Sequence, residues 1–76
     1  MRPRLLTLLS DVLQRDDLPP FEECSIECIG EWDSIVHLNL ILSVEGEFGI
    51  TFPMEMIVEI DSLEAIERAL REQGLQ

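Results

Sequence analysis

Apolar residues recur at helical spacing in three separate stretches of a chain of 76 residues, and that repetition leaves few folds open. Leu5, Leu8, Leu9, Val12 and Leu13 stand at i, i+3, i+4, i+7 and i+8, with Leu6 widening the stripe. That is one face of an amphipathic helix. Pro3 suits its first turn, where a missing N–H costs nothing. The pattern predicts a helix from about residue 3 to about residue 15. Asp16-Asp17-Leu18-Pro19-Pro20 stops it, since proline cannot donate and its predecessor avoids the α region. A second helix opens at Asp33-Ser34, where the Asp33 carboxylate is placed to accept from first-turn amides. Leu38, Ile41 and Val44 form its stripe, with Ile35, Leu42 and Phe48 on or beside it. Gly49 suits a left-handed end. Ile50-Thr51-Phe52 reads as extended, but three residues without a partner make no sheet. Pro53 opens a short helix to about Val58, carrying Met54, Ile57 and Ile60. Asp61-Ser62-Leu63-Glu64 reads as a capping box with Asp61 paired to Glu64. The last helix then buries Leu63, Ile66 and Leu70. Ala65 and Ala69 allow close approach, Arg68 and Arg71 sit near its negative end, and Gly74 can close it.

The predicted fold is all-α: a small four-helix bundle of three longer helices and a short third one, in a single domain over residues 1–76. Residues 16 to 33 hold no sustained period and form the longest loop, with Ile26, Ile29 and Phe21 as the residues able to pin it to the core. Five cationic side chains, all arginine, face 16 carboxylates, for a net charge of −11. A chain without lysine makes no lysine Schiff base and has no phosphate-loop lysine. Its charge repels nucleic acid and anionic lipid. Disorder is excluded by a hydrophobic content of 46%, so the expectation is a folded acidic monomer whose partners present basic faces. No apolar run is long enough to span a membrane and no leader-like segment is visible, so a cytoplasmic location with Cys24 and Cys28 reduced is expected.

Catalytic constellations are thin. His37 stands three residues after Ser34, but a Ser–His pair also needs an orienting acid, an oxyanion hole and a cleft. His37 is read as a solvent-facing helix residue. Cys24, Cys28 and His37 match no common zinc spacing, and no metal site is expected. Glu45/Glu47 and Glu55/Glu59 read as a solvated face. Ser34 differs because it opens a helix straight after a long loop and a capping aspartate. A phosphate ester on its hydroxyl would lie beside unpaired N–H groups at the positive end of the helix dipole. The plain alternative is that Asp-Ser is helix-capping chemistry only.

The longer pattern bears on that choice. Glu31-Trp32-Asp33-Ser34-Ile35, then Leu38, then Glu45-Gly46-Glu47-Phe48-Gly49-Ile50-Thr51-Phe52-Pro53 resembles the acyl carrier protein family, and Ile60-Asp61-Ser62-Leu63 stands where that family opens its last helix. The resemblance runs from about residue 5 to about residue 73. It implies that Ser34 receives 4′-phosphopantetheine from coenzyme A through a phosphopantetheinyl transferase, with Asp33 part of the recognition site. The thiol of that arm then carries an acyl or aminoacyl group as a thioester to partner enzymes of a biosynthetic pathway. The domain itself has no catalytic activity. A pocket for the carried chain is implied between the second and third helices, lined by Leu38, Ile41, Ile57 and Ile60.

Fatty-acid carriers of this family have glycine three places before the serine and acids two and five places after it. Here those places hold Glu31, Val36 and Asn39. Trp32-Asp33-Ser34 looks more like stand-alone carriers of specialised pathways, peptidyl or aminoacyl carriers of the nonribosomal type among them. A small acidic interaction module that is never modified is the other reading. Val36, Met54, Met56 and Val58 exceed what so small a core can take, which predicts an exposed apolar docking patch. Partner recognition is thus expected at Trp32, Asp33, Ile35, Val36, Asn39, Met54 and Met56.

Overall fold

The computed structural model describes residues 1–74; Leu75 and Gln76, which the single-domain reading includes, lie outside the described residues. Four α-helices appear in chain order: α1 (Arg2–Leu13), α2 (Ser34–Phe48), α3 (Met54–Glu59) and α4 (Leu63–Glu72). No strand forms among the described residues, and a single 3₁₀ turn, Phe21–Glu23, interrupts the long loop. This is the small helical bundle that the apolar spacing predicts.

Each helix boundary has a local cause. Gln14 ends α1 in the left-handed region at φ 58°, and its amide returns to the Ser10 carbonyl. Asp33 caps α2, its Oδ1 accepting from the Val36 amide at 2.9 Å. Gly49 closes the same helix at φ 67°, a conformation that costs glycine no side-chain strain. Helix α4 departs from the expected capping box. Its cap is Ser62, not Asp61: the Ser62 Oγ accepts from the Ala65 amide at 3.1 Å, and Glu64 stands one place too early to reciprocate Ser62.

Helix α1 lies against α2 and α4, and α4 meets the 3₁₀ turn. Leu5 and Leu9 of α1, Leu40, Ile41 and Val44 of α2, and Leu63, Ile66, Ala69 and Leu70 of α4 converge on one core. The long loop contributes Phe21, Cys24, Ile29 and Trp32. Phe21 and Ile29 pin it as expected, but Ile26 does not. Ile26 is 42% exposed, and its own backbone amide is what ties this part of the loop down. The Ile26 amide donates to the Asp61 carbonyl at 2.9 Å and the Leu63 amide donates to the Cys24 carbonyl at 3.0 Å. This antiparallel bridge, Ser25 against Ser62, stitches the loop to the α3–α4 connection.

The stripe on α2 is also corrected. Leu40, Ile41 and Val44 face inward with Phe48 half-buried, while Ile35, Leu38 and Leu42 are 69%, 53% and 64% exposed. Helix α2 is apolar nearly all round, so periodicity alone could not choose its inner face. Glu45 is not part of a solvated face: half-buried, it accepts from the Phe52 amide at 2.7 Å and draws the extended segment onto α2. Glu67 is the one buried charged residue of the described core, held by Arg2, whose Nε and Nη2 reach its two oxygens at 2.8 and 3.2 Å.

Candidate functional site

Ser34 occupies the first turn of α2, and its side chain is exposed. The elements around it explain that placement. Arg15, just beyond α1, binds Glu31 through Nη1 at 2.9 and 3.0 Å and Asp17 through Nε at 2.9 Å. The loop end is therefore tied down immediately before Trp32. Trp32 is buried at 3% exposure and anchors the approach to the helix from inside. The chain then emerges at Asp33, which caps, and at Ser34, which projects.

A groove of about 460 Å³ opens beside Ser34. Ile26 and Trp32 from the loop, Leu38 from α2, and Met54, Ile57 and Val58 from α3 supply its apolar lining. Asp33, Ser34 and His37 are its polar members, and Ile60 completes it. Of the four residues expected to line a pocket, Leu38, Ile57 and Ile60 do so. Ile41 does not; at 2% exposure it belongs to the core behind the groove.

The residues expected to meet partners separate into two groups. Asp33, Ile35, Asn39 and Met54 are exposed, and Val58 joins them. Trp32 is buried, and Val36 and Met56 are half-buried against the core, so they present less side-chain surface than the first group. Met56 faces α4, lining a crevice with Ala65 and Ala69. The exposed large apolar residues are Ile26, Ile35, Leu38, Leu42, Met54 and Val58, and of these Ile26, Leu38, Met54 and Val58 line the groove.

His37 is not solvent-facing. Its Nδ1 accepts from the Trp32 indole Nε1–H at 3.1 Å, and its Nε2 lies 2.9 Å from the Ile57 carbonyl oxygen. An indole nitrogen only donates, so Nδ1 carries no proton and Nε2–H donates to Ile57. Both ring nitrogens are thereby engaged away from Ser34, and the ring is not placed as a general base for that hydroxyl. Sequence reasoning missed this role because a histidine with two partners and a histidine in solvent look alike in the chain. The Trp32–His37 separation of five residues across a helix start gives only a weak hint.

Cys24 is buried, and burial pushes its thiol pKa up, with its Sγ 3.4 Å from the Pro19 carbonyl as donor. Cys28 is exposed. Neither lies in a metal-binding cluster, since among the described residues no group of three or more metal-ligating side chains comes together.

The site suits a covalently held phosphodiester. Asp33 takes the Val36 amide, while the first two amides of α2 have no helical acceptor and the helix dipole is positive there. The Ser34 hydroxyl projects from this end, and an arm leaving it can lie along the apolar groove. The family model of the phosphopantetheine attachment site matches residues 3–70, and the chain belongs to that family of acyl carrier protein type. The family is defined by covalent attachment of 4′-phosphopantetheine. The protein is therefore a phosphopantetheine carrier that works with a phosphopantetheinyl transferase and with pathway enzymes. No curated protein and no solved structure matches the chain.

Proposed function

We propose that Ser34 is the attachment residue and that the chain, a single domain over residues 1–76, carries an acyl or aminoacyl group as a monomeric, non-catalytic cytoplasmic protein. The observation that carries this reading is the exposed Ser34 hydroxyl on the first turn of α2, opening onto the groove. When bound, 4′-phosphopantetheine supplies a flexible arm ending in a thiol that holds cargo as a thioester.

The chain's own contribution is presentation. Asp33 holds the first turn of α2 in register, which fixes where Ser34 Oγ projects. In the loading reaction Oγ attacks the phosphorus of coenzyme A that bears the pantetheine arm. The new Oγ–P bond forms as the bond to the second phosphate breaks, 3′,5′-bisphosphoadenosine leaves, and the hydroxyl proton passes to a base on the transferase. His37 takes no part, because both its nitrogens are engaged. After loading, the first-turn amides of α2 neutralise part of the phosphodiester charge. The apolar walls given by Leu38, Met54, Ile57 and Val58 favour an apolar cargo lying against them. Ile35, Asn39 and Met54, exposed around the site, together with Asp33, form the surface on which partner enzymes dock.

Incubation with coenzyme A and a broad-specificity phosphopantetheinyl transferase is expected to raise the intact mass of the wild-type chain by one phosphopantetheine. A chain that stays at its unmodified mass under conditions that load a control carrier contradicts the reading.

A further inference from the structure

Helix α3 forms one wall of the groove, yet little in its own sequence holds it in place. It is six residues long, none of them fully buried, and no side chain caps its start. A helix of that length has no stability of its own in water. Half-buried Met56 and Ile57 lean on the core, and Ile60 beyond its end is buried. The His37 Nε2–H to Ile57 carbonyl bond is, among the described residues, the one side-chain hydrogen bond that joins α2 to α3. Ile57 lies in the last turn of α3, where carbonyls outrun the helix's own N–H groups. His37 is in turn oriented by the Trp32 indole, and Trp32 is fixed by burial.

We propose that His37 is a positioning residue that brackets α3 to the core through Trp32 and so sets the width of the groove beside Ser34 and the shelter it gives to an apolar carried chain. The sheltering part of this proposal rests on Ser34 being the loaded residue; the bracket itself does not. The arrangement permits one hydrogen placement only. Trp32 has a donor and no acceptor, so a proton on Nδ1 breaks the chain at its inner end, and a proton missing from Nε2 breaks it at its outer end. Two neutral hydrogen bonds in series, both half-removed from water, hold a segment that has few other fastenings. Losing the bond to Ile57 frees α3 to move away from α2 while the core shared by α1, α2 and α4, in which Trp32 stays buried, keeps its packing.

The test uses the apo protein first. Nitrogen NMR of the wild-type His37 ring is expected to show a bare Nδ1 and a protonated Nε2; the opposite tautomer overturns the bracket, even if every variant fails to fold. Amide exchange in α3 is expected to quicken by roughly ten-fold in His37→Leu, with α1 and α4 unchanged, and by at least as much in Trp32→Phe, which also removes core volume. His37→Gln, whose amide offers one acceptor and one donor, is expected to restore slow exchange. Unchanged α3 exchange in a folded His37→Leu protein contradicts the bracket, as does failure of His37→Gln to differ from it. With an octanoyl arm loaded enzymatically, cleavage of the thioester by hydroxylamine is expected to be several-fold faster in His37→Leu than in wild type or His37→Gln. Equal cleavage rates together with faster α3 exchange overturn the sheltering part. A protein that does not load at Ser34 shows instead that the underlying reading failed, while the exchange result still stands for the bracket.

Discussion

At Ser34 the chain separates a hydroxyl from the structure that supports it. The capping bond belongs to Asp33, not to Ser34. Ser34→Ala should therefore leave stability unchanged, whereas Asp33→Ala should cost about 1 kcal/mol and lower Tm by several degrees. Thermal melts of the two variants check this, and a Ser34→Ala protein as destabilised as Asp33→Ala contradicts it. A second residue-scale prediction concerns Glu67. The hydrogen bond from Arg2 holds its carboxyl below the ordinary value of 4.5, against the upward push of burial, and the nearby charges of Arg2 and Arg71 act in the same direction as the bond. A carboxyl whose pKa is lower folded than unfolded stabilises the fold above its unfolded value. That contribution is lost as pH falls through the folded value. Glu67→Gln should lower stability at neutral pH, and its deficit relative to wild type should shrink as pH drops below 4.5. Denaturant melts across that range measure it; a constant deficit contradicts the assignment. The capping aspartate was plain in the chain. Glu67 was not, because a buried carboxylate on a helix reads as surface until its arginine, 65 positions away, is brought to it by the fold.

Among the elements, α2 carries the most information and was the hardest to orient. Its start and end were legible, because Asp33 and Gly49 have side chains, or none, that decide a helix boundary locally. Its inner face was not. With Ile35, Leu38, Leu40, Ile41, Leu42 and Val44 in ten residues, several rotations bury an equally apolar stripe. What settles the choice is contact with α1 and the long loop, which no local pattern contains. The outcome leaves Ile35, Leu38 and Leu42 outside, with Leu38 joining Met54 and Val58 of α3 around the groove at Ser34. Ile35→Glu and Met54→Glu should fold normally yet slow loading by the transferase several-fold, because the exposed apolar patch is lost. Val36→Asp, placing a charge against the core, should lose stability instead. Loading rates and melts separate the cases. Normal loading by both exposed variants contradicts the docking surface. Helix α3 itself was legible from Pro53 onward, but its fastening to His37 was not, since that bond joins positions 20 apart through a backbone carbonyl.

For the molecule as a whole, the helix count, the order of the elements and the position of the long loop follow from spacing and from proline. The route of the loop does not. Its antiparallel bridge to Ser62 is made by backbone groups that every residue possesses. Charge distribution sets the remaining prediction. All five arginines lie outside residues 16–66, and Arg2, Arg4 and Arg15 are spent on Glu67, Glu47 and Glu31 among others. A net charge of −11 is left to repel itself over a small surface. Raising ionic strength from low to moderate should raise Tm by a few degrees, since screening relieves repulsion more than it weakens the few exposed ion pairs. A melt insensitive to salt contradicts this balance.

The measurement that bears most directly on the account is the site of modification. After reaction with coenzyme A and a phosphopantetheinyl transferase, peptide mapping of the wild-type chain should place a single phosphopantetheine on the segment holding Ser34. Ser34→Ala, with unchanged melting, should remain at its starting mass. Modification that persists in Ser34→Ala, or that maps to Ser10, Ser25, Ser43 or Ser62 in the wild-type chain, would contradict the assignment of Ser34 and the groove built around it.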